Sequence, residues 1–144
     1  MRSRIYRLVI WVSVSVVAFV LAACSSVFVI KPMGGLKDGV TFYFYQAPEG
    51  VKRIRVRLTE FVVQEKSELS EWKTVWEVVG LQDVDAIAYG SLADGMSQRI
   101  AAVPFNVRSK YRAVAREQSL IGPPGYSAIY FEFDSDEKVI ETNK

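Results

Sequence analysis

The chain has 144 residues with a formal net charge of +2, and it contains one Cys and no His. Three of its 18 basic residues lie in an N-terminal leader, so the remainder has 15 cations against 16 anions, and this near-neutral balance argues against a nucleic-acid-binding domain. The scarcity of Cys and His excludes the commonest zinc and copper ligands, disulfides within the domain, and every Ser-His-Asp or Cys-His catalytic arrangement.

The N-terminal leader has the layout of an export signal. Arg2, Arg4 and Arg7 form a short positive segment, and an uncharged, mostly apolar run follows over residues 8–20. Leu21-Ala22-Ala23-Cys24 closes the leader. These four residues resemble the lipobox of bacterial lipoprotein precursors, and the resemblance covers only the first 24 or so residues.

The resemblance to lipoprotein precursors implies a membrane anchor. In that family the Cys thiol receives a diacylglyceryl group, the signal peptide is cut immediately before the Cys, and the new amino group is usually acylated. A single acyl chain gives only marginal membrane binding, whereas two or three hold a protein durably. We therefore expect a signal peptide over residues 1–23 and a lipidated Cys24 as the first residue of the mature protein.

The alternative for this leader is an uncleaved transmembrane helix, since no charge occurs between Leu8 and Lys31 and about 20 apolar residues span a bilayer. Several serines dilute the run, and the lipobox lies where cleavage is expected, so we favour the lipoprotein. Both alternatives keep the basic leader in the cytoplasm and export the rest. In lipoproteins an Asp after the Cys favours inner-membrane retention; Ser25 and Ser26 instead predict an outer-membrane location facing the periplasm, if the host has two membranes.

The remainder of the chain predicts one β domain. About 120 residues suffice for one hydrophobic core, and no stretch shows a 3.6-residue apolar period, whereas several alternate with period two between turn signals. This pattern predicts an all-β fold, a single antiparallel β-sandwich of immunoglobulin or transthyretin size. We assign residues 24–39 to the lipidated Cys, a tether and a first edge segment broken at 31–35, and residues 40–144 to the sandwich.

Three stretches alternate most clearly, over residues 40–45, 52–58 and 126–133. In the first stretch Val40, Phe42 and Phe44 share one face, and Thr41, Tyr43 and Tyr45 share the other. In the two later stretches the side chains that we expect to be buried are Ile54, Val56, Leu58, Ile129, Phe131 and Phe133. The apolar positions change parity after Leu58, because Phe61 and Val63 follow it, and this change predicts a β-bulge at Thr59-Glu60.

A strand is also predicted over residues 72–79, ending at Gly80, with Trp72, Thr74, Trp76 and Val78 on one face. Two Trp on one face of a sheet are typical of a core and, less often, of a carbohydrate platform. We interpret Trp76 as core and leave both interpretations open for Trp72, which lies nearer the loop.

Little catalytic chemistry remains without His or a second Cys: a carboxylate pair, a Ser-Lys pair or oxygen-ligated calcium. The densest acidic cluster, over residues 134–137, lacks the Gly and the bidentate Glu of an EF-hand loop, which favours a solvated turn. No Ser lies in a G-x-S-x-G frame. We therefore expect no cofactor, no metal site and no catalytic residues.

One surface feature points to a partner. Arg53, Arg55 and Arg57 are predicted on one strand face, where three guanidinium groups repel one another unless a negative group lies opposite. The stripe is either neutralised by Glu or Asp of neighbouring strands or docks the domain on anionic lipid or an acidic envelope protein.

The sequence thus favours a membrane-anchored envelope lipoprotein with a non-catalytic binding or assembly-accessory domain. The alternatives are an envelope enzyme that uses carboxylates and a purely structural lipoprotein. Two facing acids of raised pKa in a cleft would favour the enzyme. A broad exposed apolar or basic patch would favour the binding module.

Overall fold

The computed structural model describes residues 28–119 and 123–143. The predicted signal peptide and Cys24 lie outside these ranges, within which no helix is long and apolar enough to cross a membrane. The strands are β1 (Phe28–Gly35), β2 (Gly39–Gln46), β3 (Val56–Lys66), β4 (Lys73–Val84), β5 (Ala86–Ala88), β6 (Met96–Ile100), β7 (Lys110–Glu117), β8 (Gly125–Phe133) and β9 (Val139–Thr142).

The strands form two antiparallel sheets packed face to face. The smaller sheet has the order β1-β2-β5 and the larger one the order β6-β4-β3-β7-β8-β9. The chain passes from the larger sheet to the smaller one at Asp85, between β4 and β5. This architecture confirms the predicted all-β antiparallel sandwich.

The core lies between the sheets and is rich in aromatic rings. Phe42 of the smaller sheet contacts Phe61 and Phe131 of the larger one, with ring centroids 5.0 and 5.6 Å apart. Val56, Leu58 and the other predicted core positions are buried, except Ile54 and Ile129, which are partly buried and pack against the cluster. The alternation of apolar residues therefore predicted the faces of these strands correctly.

The predicted bulge near Thr59 is present. The register of β3 shifts between Leu58 and Glu60 against both neighbouring strands, and the Thr59 hydroxyl donates a hydrogen bond to the Arg116 carbonyl. The extra residue turns Phe61 and Val63 toward the core. The strand itself begins at Val56, so the segment 52–55 is not part of it, apart from a single bridge between Tyr45 and Arg53.

The predicted break at residues 31–35 is wrong. β1 continues through Pro32 to Gly35 and pairs with β2 along its whole length. Proline is tolerated because β1 is an edge strand of its sheet, where the position without an N–H can face away from the ladder. The first edge segment is thus an integral strand of the sandwich.

The prediction that Trp72 and Trp76 share a face is also wrong. Trp76 pairs with Val63, but Thr74 pairs with Gln64, so Val75 is an extra residue without a partner in the ladder. This bulge reverses the parity of β4. Trp76 is fully buried in the core, as predicted, whereas Trp72 lies on the outer side of the larger sheet.

The strand that was predicted to end at Gly80 continues to Val84. Gly80 permits this because its φ is +152°, and a Cβ at this position would lie 2.5 Å from the carbonyl oxygen of Gly95. A glycine here therefore lets β4 and the turn before β6 approach closely.

We call the two ends of the sandwich the Phe28 end and the hairpin end. The Phe28 end contains the start of β1 and the segment 47–55, because Phe28 pairs with Gln46. The hairpin end contains the β3–β4 loop, residues 67–72, together with the residues that precede β7 and follow β8. β3 spans the larger sheet from one end to the other.

Candidate functional site

An open groove of about 590 Å³ lies at the hairpin end of the larger sheet. It is bounded by the β3–β4 loop, the start of β7, the end of β8 and the end of β9. The side chains that define its chemistry are Lys66, Trp72, Arg108, Lys110, Tyr130 and Glu132. Since Tyr111 and Phe131 are buried in the core, their neighbours Lys110, Tyr130 and Glu132 point to the outer face.

Trp72 is fixed in the groove wall by contacts on the outer face of the sheet. The Arg112 guanidinium lies 4.8 Å from the centroid of the Trp72 ring, within range of a cation–π interaction, and the Tyr130 ring lies 5.8 Å away. The Nε of Arg112 donates to the side-chain oxygen of Gln64 at 2.9 Å. The indole is thus held in place while part of its surface stays accessible.

Lys66 and Lys110 form a like-charged pair beside this indole. Lys66 ends β3, Lys110 begins β7, and the two residues are directly opposite in the register. Both are exposed, and among the described residues neither has a carboxylate within 4.0 Å, which is also true of Arg108. Like charges directly opposite on neighbouring strands destabilise a sheet. Lys66 Nζ also lies 5.9 Å from the centroid of the Trp72 ring, so its favourable contact is with an aromatic ring and not with an acid.

The floor of the groove is anchored by Tyr111. Its hydroxyl donates to Glu65 Oε1 at 2.9 Å and accepts the backbone N–H of Asn106 at 2.6 Å. Burial is the main cause that raises the pKa of Tyr111 above its usual range, and Glu65 adds to the increase. The segment 106–109 is therefore held against the core.

A second tyrosine holds the preceding part of that segment. The Tyr89 hydroxyl donates to the Val103 carbonyl at 2.6 Å, and its ring stacks on Phe105 with centroids 4.0 Å apart. Burial raises the pKa of Tyr89 to about 12. Tyr89 and Tyr111 together fix the long connection between β6 and β7, which has no strand of its own.

The arginine stripe predicted from the sequence has acidic neighbours at two of its three positions. Arg53 lies 2.8 Å from Asp85 Oδ2 and 4.5 Å from the centroid of the Tyr43 ring, and Arg57 lies 3.6 Å from Asp83. Arg55 is exposed. Mutual repulsion therefore no longer argues for a negative partner, and docking by the stripe stays a prediction.

The acidic cluster 134–137 forms the turn between β8 and β9. Asp134 Oδ1 accepts backbone N–H groups of Asp136 and Lys138, at 2.9 and 2.8 Å. Lys138 also pairs with Asp38 of the β1–β2 hairpin at 2.6 Å, and this contact lowers the pKa of Asp38. The cluster thus links two hairpins at the same end of the sandwich.

Two serines have the S-x-x-K spacing, Ser70 with Lys73 and Ser135 with Lys138. Residues three apart face each other on a helix, but Ser70 lies in the β3–β4 loop and Ser135 in a turn. The Ser70 hydroxyl instead lies 2.7 Å from the Ser67 hydroxyl. These pairs therefore lack the geometry in which a lysine activates a serine.

Glu117 is a partly buried acid, and it lies at the Phe28 end. Burial raises the pKa of its carboxyl group, which packs on Gly125, where an added Cβ would clash with it. This carboxyl group lies at the opposite end of the sandwich from the groove.

The sequence does not decide whether Trp72 belongs to the core or to a binding surface, and it does not predict that Lys66 pairs with Lys110. The bulge at Val75 and the pairing of β3 with β7 bring these residues together, and neither is visible in the local pattern. Comparison of the chain with protein-family models, curated proteins and solved structures finds no match.

Proposed function

We propose that the chain is an exported lipoprotein, anchored by a lipidated Cys24, whose β-sandwich is a non-catalytic binding module of the cell envelope. The main observation behind this proposal is that the groove and Phe28 lie at opposite ends of the sandwich. Phe28 follows Cys24 by four residues, which is about 14 Å of extended chain. An anchored domain would therefore hold its Phe28 end near the bilayer and direct the groove away from it.

The chemistry of the groove supports binding. Ligand sites combine accessible aromatic surface with a few fixed polar groups, and here Trp72 and Tyr130 lie beside exposed lysines. The residues after Cys24 support placement on the outer membrane, facing the periplasm. This part of the proposal rests on the resemblance to lipoprotein precursors.

The distribution of carboxyl groups favours a binding module over an enzyme that uses carboxylates. Such an enzyme needs two acids that face each other in a cleft, with the pKa of the proton donor raised. Two acids, Glu68 and Glu132, lie in the groove wall, but Glu117, whose pKa is raised by burial, lies at the Phe28 end. This acid is therefore too far from the groove to act on a substrate bound there.

The anchor is tested on full-length protein extracted from native membranes. Intact mass should show a species that begins with an acylated Cys24 and lacks residues 1–23. A species that retains Met1 to Ala23 would contradict the anchor and favour the transmembrane helix.

The binding function is tested by capture of envelope material with wild-type protein and with Lys110→Gln. The material is first depleted of lipid, so that docking of the Phe28 end on lipid does not contribute. The variant should retain less material, and the matched control Lys52→Gln, which changes an exposed lysine at the Phe28 end, should behave as wild type. Equal capture by all three proteins would remove the groove from the proposal and favour a purely structural lipoprotein.

Docking of the Phe28 end on an anionic surface is a further part of the proposal. Arg53, Arg55 and Arg57 lie at the end that the tether would hold near the bilayer, and attraction to anionic lipid amounts to about 1 kcal/mol per basic residue. Binding to anionic vesicles should fall in the triple Arg→Ser variant and should weaken as salt is raised. Equal binding of both proteins at low salt would exclude this role.

A further inference from the structure

We propose that the groove binds a carboxylated polysaccharide, with sugar rings against Trp72 and Tyr130 and carboxylate groups on Lys66 and Lys110. This inference rests on the proposed function, because it names the ligand class of the binding module. Four features of the described residues support it: the cations without an ion-pair partner, the mixed polar lining, the aromatic rings and the position of the site within the sheet.

The cations in the groove that have no ion-pair partner favour an anionic ligand. Lys66 and Lys110 are opposite each other in the register without an ion-pair partner in the described ranges, and Arg108 adds a third such charge to the lining. Elsewhere on this surface arginines have acidic partners, as Arg116 has in Glu60 at 3.1 Å and Arg99 in Glu77 at 2.7 Å. A bound carboxylate between the two lysines would supply the missing partner.

The rest of the lining fits a ligand that also has many hydroxyl groups. Glu68 and Glu132 lie in the groove wall, as do Ser67, Thr142 and Asn143. A carboxylate is negatively charged and only accepts hydrogen bonds. These acids would therefore repel a dense polyanion but would accept hydrogen bonds from the hydroxyl groups of a sugar. Charges spaced along a hydroxyl-rich chain therefore match the lining better than continuous negative charge.

The aromatic rings provide flat apolar surface for sugar rings. Trp72 and Tyr130 both line the groove, with centroids 5.8 Å apart and ring planes inclined by 58°. Arg112, which donates a hydrogen bond to Gln64, contacts the indole from the sheet side, so binding would require little reordering of Trp72. The groove volume of about 590 Å³ falls within the range of sites that hold small ligands.

The position of the lysines argues against an acidic peptide. An extended peptide usually adds to a sheet edge, where backbone groups are free. The edges of the larger sheet are β6 and β9, whereas Lys66 and Lys110 lie on the central strands β3 and β7. A ligand that contacts both lysines would therefore lie on the face of the sheet, and not along its edge.

The test uses the full-length protein in non-ionic detergent and measures binding by calorimetry. The probes are an oligogalacturonate, a malto-oligosaccharide of equal length as its neutral counterpart, and an oligoglutamate of equal length. The oligogalacturonate should bind, more weakly as salt is raised, and the two other probes should bind at least about tenfold more weakly, which corresponds to about 1.4 kcal/mol.

Matched variants locate the binding. Lys66→Gln and Lys110→Gln should each raise the Kd for oligogalacturonate about tenfold, or about 1.4 kcal/mol, and Lys52→Gln should leave it unchanged. Trp72→Phe, which retains both lysines, should also weaken binding of oligogalacturonate, because it removes aromatic surface from the groove. Circular dichroism of each variant would show whether it is folded.

Three results would overturn the inference: no binding of oligogalacturonate, equal binding of the neutral sugar, or stronger binding of oligoglutamate, which would indicate an acidic peptide instead. Unchanged affinity in both lysine variants would place the ligand elsewhere. If Cys24 is acylated and capture of envelope material depends on Lys110, a negative result with oligogalacturonate refutes only the ligand class and leaves the proposed function standing.

Discussion

Tyr111 joins the core to the groove through its hydroxyl group. The hydroxyl contacts the Asn106 backbone N–H and Glu65 from a ring that is almost fully buried. In Tyr111→Phe, both groups lose this partner; Glu65 is partly buried and Asn106 is exposed, so the relevant quantity is the net contribution of a hydrogen bond, about 0.5–3 kcal/mol. We expect the free energy of unfolding to fall by this amount in chemical denaturation.

Tyr130→Phe is the matched control for this prediction. Tyr130 is partly exposed, and its contact with Trp72 is through the ring, which the variant retains. Its free energy of unfolding should change by less than about 0.5 kcal/mol. Equal destabilisation by both variants would show that the hydroxyl of Tyr111 is not what fixes the segment 106–109.

Tyr89 gives a pH dependence of stability. Its pKa is raised from 10.0 to about 12, so between these values the folded state holds the phenolic proton while the unfolded state releases it. The free energy of unfolding should therefore decrease as the pH rises above about 10, by up to about 1.4 kcal/mol per pH unit for each such tyrosine. Denaturant unfolding at a series of alkaline pH values should show a smaller slope in Tyr89→Phe, and an unchanged slope would exclude Tyr89 as the cause.

At the scale of the strands, side chains on the two faces of the sandwich should respond differently to truncation. Phe131 is fully buried among aromatic rings, so Phe131→Ala should cost about 3–5 kcal/mol. Arg53 is exposed and its pair with Asp85 is solvated, so Arg53→Ala should cost less than about 1 kcal/mol. Thermal unfolding would check both variants, and the reverse order would mean that the assigned faces are inverted.

Strand faces were predictable where the pattern is local. Phe42 and Phe44 alternate with half-exposed residues, and the change of parity between Leu58 and Phe61 showed the first bulge. The bulge at Val75 left no such signal. Val75 and Trp76 are both apolar and both buried, so the sequence of β4 does not show which of them is the extra residue.

The groove was less predictable than the strands because it depends on contacts between distant segments. Lys66 and Lys110 are neighbours only because β3 pairs with β7, and Trp72 reaches the outer face only because β4 has a bulge. The arginine stripe was visible because its members alternate along one segment. Its acidic neighbours are Asp83 of β4, opposite Arg57, and Asp85 at the crossing between the sheets, and local alternation reveals neither contact.

At the scale of the whole molecule, the anchor and the groove are related through β1. The strand begins at the Phe28 end and reaches the hairpin end, where the Leu36 N–H donates to the Glu137 carbonyl at 3.0 Å. Gly35 also bridges Lys138 beside β9. The strand that would follow the anchor is thus fixed to both sheets, so the tether would orient the whole sandwich.

This role of β1 leads to a test of where the domain begins. A fragment of residues 25–144 keeps every described strand and should be soluble and folded without the leader, with a circular dichroism spectrum dominated by strand.

A fragment of residues 39–144 lacks β1, and with it Phe28 and Ile30, which are 0% and 2% exposed. Each buried side chain of this size contributes about 2–5 kcal/mol, and β2 also loses its partner along its whole length. Since a typical domain is stable by about 5–15 kcal/mol, the shorter fragment should show no cooperative unfolding in denaturant. Cooperative unfolding of the shorter fragment would mean that the sandwich begins at β2, as the alternation of residues 40–45 first indicated.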